Sequence, residues 1–292
     1  MATKKSTPHV SAANKYARDV VAGRIDVCRY VRLACKRHLD DLKVSKKKDY
    51  PYRFNAALAE EKCVKFELFD HVKGRWAAHG DKFILEPWQC FVVCCLFGWV
   101  FKSNGLRRFR KGYIELPRKN GKSPTAAGIG LLMFADDQEH GAEVYSGATT
   151  EDQAWEVFRP AKLMAEKNDD FREFYGVEVA AKQMHIMSNG SRFRPVVGKP
   201  GDGASPSCAI TDEFHEHDSP DQVNTFITGM VGREQPLWLA TTTAGYNLDG
   251  PCYAFRKDAT DMLEGHVTSD ALFALIYTLD DGDDWTTEAA LR

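Results

Sequence analysis

One stretch near the middle of the chain constrains its fold more than any other. Residues 115–128 read ELPRKNGKSPTAAG, and the segment 112–116 that leads into them is aromatic and β-branched with an alternating pattern. Such a segment predicts a strand. The small residues after Ser123 predict a helix that packs closely on a sheet, and Pro124 suits its first turn because its missing N–H costs little there. A strand, a tight loop and a helix are therefore expected in direct succession.

The loop itself has the composition of a phosphate-binding site. Gly121, Lys122 and Ser123 stand at the turn, where backbone N–H groups and the helix N-terminus can hold phosphate oxygens. In such a loop the Lys neutralises the outer phosphates and the Ser hydroxyl holds Mg²⁺. Leu116 departs from the pattern, since it occupies the place of the opening glycine. A surface turn followed by a solvated lysine is the alternative, and the flanking strand and helix favour the phosphate site.

A second polar group follows a small apolar strand about ninety residues downstream. The segment 207–217 reads SCAITDEFHEH and places Asp212 and Glu213 at the strand's end. Nucleoside triphosphate hydrolysis needs a carboxylate for the Mg²⁺ shell and a base that orients water. Successive strand side chains point opposite ways, so we assign Asp212 to magnesium and Glu213 to water activation. His215 and His217 lack an apparent third ligand, which favours a solvated or hydrogen-bonded loop over a zinc site.

Two further segments carry residues that suit a nucleotide site. The segment 236–245 reads PLWLATTTAG, a buried-strand pattern that ends in Thr241, Thr242 and Thr243. These hydroxyls could sense the γ-phosphate and pass its loss to a mobile element, although ordinary β-branched strand chemistry explains them equally. Upstream, the Gln89 amide could read an adenine edge while Trp88 stacks on the ring. A simple helix entry explains that segment nearly as well.

Composition excludes several classes of protein. Apolar residues make up 43% of the chain and charged residues 27%, which is typical of a globular domain. The net charge of -2 excludes a globally basic nucleic-acid coat but leaves room for a local basic stripe. The longest apolar run, 90–101, is too short to span a bilayer and predicts a buried helix entered through Pro87. The eight cysteines include no C-x-x-C pair, which predicts reduced core thiols in a cytosolic protein.

The pattern of the chain changes near residue 80. Residues 1–75 are predicted to form an N-terminal helical region, in which apolar positions between Val21 and Leu42 recur like one face of an amphipathic helix. We interpret its basic residues as a solvated face. Residues 76–292 form the second predicted domain, where alternating elements predict a mostly parallel sheet flanked by helices, with a hairpin at 188–191. The predicted strands are 112–116, 143–147, 183–187, 192–197, 207–211, 237–242 and 271–277, and the predicted helices are 87–101, 122–135, 151–167 and 220–231.

The order of the motifs resembles one known family. The chain shows, in sequence, PWQ at 87–89, PRKNGKS at 117–123, ATTEDQAW at 148–155, DEFHEH at 212–217 and REQPLWLATTTAG at 233–245. Over about residues 50–290 this set resembles the ATPase domain of tailed-bacteriophage large terminase subunits, the motors that pump DNA into procapsids. The resemblance implies an α/β P-loop NTPase fold of the ASCE, RecA-like class. Large terminases commonly replace the first P-loop glycine and carry an arginine in the loop, which Leu116 and Arg118 match.

The resemblance also implies roles for individual residues. Glu213 would be the catalytic base, Lys122 the phosphate ligand, and Arg118 a charge-stabilising arginine acting in cis. Ser123 and Asp212 would hold Mg²⁺, and Thr241, Thr242 and Thr243 would form the coupling motif. A neighbouring subunit inserts a basic residue in this family, for which the candidates are Arg194, Lys199 and Arg233. The nucleotide-binding set, with Gln89 reading adenine, would be Trp88, Gln89, Arg118, Lys119, Asn120, Gly121, Lys122, Ser123 and Pro124.

Cofactors and partners follow from the same resemblance. It implies ATP and Mg²⁺ as cofactors, and double-stranded DNA, the portal protein and the small terminase subunit as partners. A homo-oligomeric ring, usually of five subunits, would act in the host cytoplasm, transiently on the procapsid and away from membranes. The family also carries a C-terminal nuclease of ribonuclease-H-like fold. Only fifteen residues follow Tyr277, so we expect a polar linker there, with Asp280 to Asp284, and no nuclease activity from this chain.

Two alternatives remain open at this stage. Asp212 to His215 also spells the DExH box of a helicase, although a helicase of that class needs a second motor domain with an arginine-rich motif. The other alternative is a module that binds nucleotide and docks on a partner without turnover. ATP hydrolysis coupled to DNA translocation is the function that the motifs favour.

Overall fold

A computed structural model describes residues 6–201, 203–284 and 286–287. At its centre lies an eight-stranded sheet with the order β10-β3-β9-β8-β4-β7-β6-β5. Its strands are β3 (Lys111–Glu115), β4 (Glu143–Ala148), β5 (Val177–Val179), β6 (Met184–Ile186), β7 (Ser191–Val197), β8 (Cys208–Asp212), β9 (Leu237–Thr242) and β10 (Leu272–Ile276). The pairs from β10 to β7 are parallel, while β5, β6 and β7 pair antiparallel. The predicted mostly parallel α/β sheet and its hairpin are confirmed.

Helices cover both faces of the sheet. They are α1 (Pro8–Val21), α2 (Arg29–Val44), α3 (Ala56–Phe66), α4 (Gly74–His79), α5 (Pro87–Gly98), α6 (Lys122–Ala135), α7 (Glu151–Glu166), α8 (Asp169–Tyr175), α9 (Asp221–Gly229) and α10 (Pro251–Glu264). On one face, α6 and α7 pack through Phe134 and Phe158 against Phe193 of β7. On the other, Phe226 of α9 contacts Tyr145, and Phe255 of α10 contacts Trp238.

The small residues of α6 allow the close packing that the sequence predicts. A Cβ atom placed on Gly128 would lie 2.2 Å from the ring of Phe66, and one on Gly130 would lie 3.0 Å from both Ile210 and Phe193. Larger side chains would push this helix away from α3 and from the sheet. Because α6 begins at the phosphate loop, its packing also fixes the position of that loop.

The N-terminal pattern is the main difference from the sequence-based expectation. The spacing from Val21 to Leu42 predicts one helix, but α1 ends at Val21 and α2 begins at Arg29. Gly23 adopts a left-handed φ of 69°, and the N–H groups of Gly23 and Arg24 donate to the carbonyls of Val20 and Asp19. This is the Schellman arrangement that terminates helices. The apolar positions continue across the break because both helices are buried on one side.

The predicted helix 87–101 is also too long at its C-terminal end. α5 stops at Gly98, and Trp99–Phe101 forms a short strand, β2, antiparallel to β1 (Tyr52–Phe54). A Cβ on Gly98 would lie 2.6 Å from the ring of Phe54, so the partner strand passes close to this point. An apolar run cannot by itself distinguish a buried helix from a buried strand.

The N-terminal helices share one hydrophobic core with the sheet, since α1 and α3 both pack on α5. The domain boundary near residue 75 stays a prediction. All eight cysteines are buried free thiols. Among the described residues, every helix is too short or too polar to cross a bilayer.

Candidate active site

The candidate site lies at the edge of the sheet where three neighbouring parallel strands end. β3 is followed by the loop 116–121, β8 ends in Asp212, and β9 lies between them and ends in Thr242. Because the strands are parallel, their carboxyl ends meet at one edge, the usual place for a ligand in an open α/β sheet. The sheet therefore brings the predicted phosphate loop, the acidic pair and the threonines together.

The phosphate loop is held by the strand beside it. The backbone N–H of Leu116 donates to the carbonyl of Thr242 at 3.0 Å, and the Leu116 side chain is buried. This contact continues the β3–β9 pairing into the loop, so the loop-opening position is occupied by an ordinary extended residue. Farther on, Lys119 and Gly121 adopt left-handed φ values of 68° and 73°. The non-glycine residue in this conformation marks a strained turn at the start of α6.

A polar network connects the loop to the acidic strand. Lys122 Nζ contacts Asp212 Oδ1 and lies 2.9 Å from Glu213 Oε1. Ser123 Oγ donates to Asp212 Oδ2 at 3.0 Å, and Thr241 Oγ1 donates to Asp212 Oδ1 at 2.8 Å. The backbone N–H of Glu213 also donates to Asp212, at 3.0 Å. The buried Asp212 carboxylate therefore receives donors from all three strand ends, and five predicted residues meet here.

Glu213 occupies an unusual backbone conformation. Its φ and ψ are both 48°, in the left-handed region that non-glycine residues seldom adopt. The turn directs its carboxylate back toward Lys122. Its Oε2 atom is buried and forms no hydrogen bond with any described residue. A carboxylate aimed in this way, with an unsatisfied oxygen, suits a group that acts on a bound molecule.

The predicted adenine contacts have other partners in this structure. Gln89 Nε2 donates to Thr125 Oγ1 at 2.8 Å, and Gln89 Oε1 accepts from the backbone N–H of Glu86 at 2.9 Å. Thr125 Oγ1 in turn donates to the carbonyl of Gly121 at 2.8 Å. The Gln89 amide therefore supports the phosphate loop from beneath. Trp88 is partly buried, with its ring edge-on to Tyr277, and adenine recognition by Gln89 and Trp88 stays a prediction.

The tip of the loop is open to solvent. Arg118, Lys119 and Asn120 are exposed, and the Arg118 side chain has no hydrogen bond or ion pair with the residues that the structure describes. Asn120 Nδ2 donates to the carbonyl of Pro117 at 3.2 Å, which closes the loop on itself. Pro124 lies in the first turn of α6, as predicted from its missing N–H.

The three candidates for a contact with a neighbouring subunit differ in placement. Arg233 precedes β9 at the opposite edge of the sheet, where its guanidinium donates to the carbonyls of Ser205 and Gly141 and to Glu139, and its intersubunit role stays a prediction. Those contacts hold the guanidinium against the loops that precede β4 and β8. Arg194 lies within β7 and stacks over Tyr145.

Lys199 alone of the three lies just beyond a strand's carboxyl end with an exposed side chain. Its Nζ is 2.7 Å from the exposed Asp221. An exposed pair of this kind is weak and easily exchanged. Lys199 is therefore the candidate whose placement suits a contact with another subunit, and that role stays a prediction.

The sequence did not predict that His215 would lie among the site residues. Its ring is nearly buried and lies between Glu213, Glu216 and Thr242, all within 3.3 Å. His217 instead packs edge-on to Phe214, and burial lowers its pKa, with the charge of His215 acting in the same direction. Within the described ranges, the group of possible metal ligands that converge is Asp261, Glu264 and His266, away from these histidines.

Comparisons with known proteins agree with this geometry. The family model described as "Terminase large subunit, ATPase domain" matches residues 87–261, more than half of the chain. Protein YmfN of Escherichia coli (strain K12) is 53% identical over 92 residues, which cover 32% of this chain and 20% of that protein. The large terminase subunit of Enterobacteria phage HK97 is 27% identical over 159 residues, which cover 53% of this chain and 32% of that protein.

A solved structure extends the likeness to the fold. The crystal structure of the HK97 bacteriophage large terminase matches with a TM-score of 0.65 at 21% identity, over 80% of this chain and 46% of that chain. At this identity the match shows a shared fold. The chain spans less than half the length of each of these relatives.

Proposed function

This chain belongs to the terminase large subunit ATPase family, and we propose that it hydrolyses Mg-ATP to move double-stranded DNA into a procapsid. The observation that carries the proposal is the meeting of Lys122, Ser123, Asp212 and Glu213 at one sheet edge, next to the phosphate loop. Phosphate binding, metal binding and water activation are the three functions that such a reaction requires, and each has a residue here.

The residues present fit a magnesium ion. Ser123 supplies a hydroxyl oxygen and Asp212 a carboxylate, the hard oxygen ligands that Mg²⁺ prefers beside substrate phosphates. When bound, the ion would neutralise charge on the phosphate oxygens. Phosphate oxygens would also compete with Asp212 and Glu213 for Lys122, whose ammonium group now contacts both acids. Binding of the substrate therefore releases Glu213 from an ion pair that would otherwise occupy it.

Glu213 is the group we assign to water activation. Its carboxylate is partly exposed, at 30%, and can accept a proton or orient a water molecule. Arg118 would offset charge that develops on the γ-phosphate, acting from the exposed loop tip. Thr241 shares the Asp212 carboxylate with Lys122, so β9 would register a change in nucleotide state through that contact.

The wider assembly remains part of the proposal. By family membership, the partners would be the portal protein, the small terminase subunit and further copies of this chain in a ring, in the host cytoplasm. Lys199 is our candidate for a contact with the neighbouring site. The N-terminal region before residue 75 would form a helical unit that supports α5 beneath the nucleotide.

Replacement of Glu213 by Ala tests the assignment. We expect Glu213→Ala to keep measurable ATP binding, since the phosphate loop is unchanged, and to lower phosphate release to the background rate. Asp218→Ala removes an exposed acid from the same segment and serves as the matched control, with turnover close to that of the parent protein. Normal hydrolysis by Glu213→Ala would overturn the base assignment.

A further inference from the structure

We infer that His215 is a positioning residue that sets the orientation of the Glu213 carboxylate and ties it to the end of β9. The inference rests on the proposed function, because it concerns the group assigned to water activation. His215 lies in the 3-10 turn Phe214–Glu216, directly after Glu213, and its side chain is 8% exposed. Among the described residues its hydrogen bonds and ion pairs are with Glu213, Glu216 and Thr242, so its influence on the site passes through these neighbours.

The ring of His215 is held by the side chain of Thr242. His215 Nδ1 lies 3.0 Å from Thr242 Oγ1, and the backbone N–H of His215 donates to the same oxygen at 3.2 Å. The Thr242 hydroxyl proton is itself donated to the carbonyl of Thr243 at 2.8 Å. Thr242 Oγ1 can therefore only accept from the ring, which places a proton on Nδ1 of His215.

The same N–H faces a second acceptor. Glu213 Oε2 is 3.3 Å from His215 Nδ1 and is the buried oxygen that has no hydrogen bond with the described residues. A small rotation of either side chain would give that oxygen its donor. One N–H therefore lies within reach of two acceptors, Thr242 at the end of β9 and the Glu213 carboxylate. A shift of Glu213 after hydrolysis would change how strongly His215 holds Thr242.

The far side of the ring is fixed as well. His215 Nε2 lies 3.0 Å from Glu216 Oε1. The loop that follows β9 crosses the residue so closely that a Cβ on Gly245 would lie 2.6 Å from His215 Cβ. The residue next to that glycine, Tyr246, is almost fully exposed. His215 therefore connects the acidic pair to a surface loop as well as to the threonine strand.

Two isosteric variants separate positioning from packing. In His215→Asn the amide nitrogen takes the place of Nδ1 and can still reach Glu213 and Thr242. In His215→Gln the amide lies near Nε2 and retains only the Glu216 side. We expect His215→Gln to lower kcat for ATP about 10- to 100-fold with KM within about threefold, since misplacement of a catalytic group has effects of this size. His215→Asn should keep at least about a third of the parent kcat. Equal loss in both variants would overturn the inference, since packing alone would not distinguish them.

Thr242 provides an independent test if the histidine variants unfold. Thr242→Val preserves shape and removes the hydroxyl, whereas Thr242→Ser keeps it. We expect the Val variant to lower kcat about tenfold and the Ser variant to restore most of it, with similar thermal unfolding for both. Combining Thr242→Val with His215→Gln should add little further loss, because both break one connection. Parent protein that binds ATP but releases no phosphate even with DNA and portal protein present would refute the proposed hydrolysis; active parent protein with an unaffected Thr242→Val would refute only the role of His215.

Discussion

A buried histidine outside the active site gives the chain an acid-sensitive component of stability. His38 on α2 is 4% exposed, and its Nε2 lies 2.9 Å from Asn14 Oδ1, while Trp99 Nε1 donates to its Nδ1 at 3.1 Å. When the ring is neutral, one nitrogen donates to Asn14 and the other accepts from Trp99, so both nitrogens have a hydrogen-bond partner. Burial lowers the pKa of His38 from 6.5 to about 4, with Arg108 acting in the same direction and Asp41 opposing.

The sign and size of the effect follow from the two pKa values. The unfolded chain binds the proton more tightly than the folded chain, so stability is present above pH 6.5 and is lost as the pH falls toward 4. At about 1.4 kcal/mol per pKa unit, the loss reaches roughly 2 kcal/mol by pH 5 and roughly 3 kcal/mol by pH 4. This is a large share of the stability of a typical domain.

Urea unfolding of the parent protein and of His38→Gln between pH 7.5 and pH 4 measures the contribution of His38 to the free energy of unfolding. At pH 7.5 the variant should be less stable, because it loses one of the two hydrogen bonds and some packing. As the pH falls, the difference in unfolding free energy should shrink by roughly 3 kcal/mol, since only the parent gains a proton at this site. A difference that stays constant with pH would refute the reasoning.

His9 contributes to stability with the opposite sign and cancels in this comparison. Burial opposes ionisation of His9, yet Glu60 and Glu67 raise its pKa. Its contribution is therefore present below pH 6.5 and is lost as the pH rises through the folded value. The contribution of His9 is the same in the parent and in His38→Gln, so the difference in unfolding free energy between the two proteins reports on His38 alone.

Two further substitutions test the packing of α6 and the structural role of Arg233. Gly128→Ala should lower the free energy of unfolding by roughly 1–3 kcal/mol, because its Cβ would collide with Phe66. Gly232→Ala, which has open space at the Cβ, is the matched control. Equal effects of the two substitutions in chemical denaturation would contradict the described packing of α6. Arg233→Ala should lower stability by roughly 2–4 kcal/mol, because it leaves Glu139 and three carbonyls without their donor. Lys199→Ala should be nearly neutral by the same measurement, and a neutral Arg233→Ala would contradict the structural role of Arg233.

Local sequence patterns were sufficient for most of the sheet. The strand into Glu115, the helix from Lys122 and the strand ending at Asp212 were predicted to within a residue, because each carries its own periodicity and boundary signals. Their meeting at one edge follows from parallel pairing. The phosphate loop and the acidic pair could therefore be placed together before any coordinates were known.

The remaining features depend on contacts between distant residues. The His215 ring gains its function from Thr242, 27 positions away. Arg233 was a candidate for an intersubunit contact, and its bonds to Glu139 and Gly141 become visible only in the fold. The break at Gly23 was hidden because the apolar spacing runs through it, although a glycine beyond the last helical turn was a usable signal. Side-chain partners of this kind are set by tertiary structure and leave no local pattern.

We propose that Lys122 and its acidic partners form a Mg-ATP site. Isothermal titration of the parent protein and of Lys122→Ala with ATP, each in the presence of Mg²⁺, tests it most directly, because binding does not require assembly or turnover. We expect the parent to bind and the variant to lose at least about tenfold in affinity, since it lacks the ammonium group that neutralises the outer phosphates. Equal affinity of the two proteins for ATP would contradict the account.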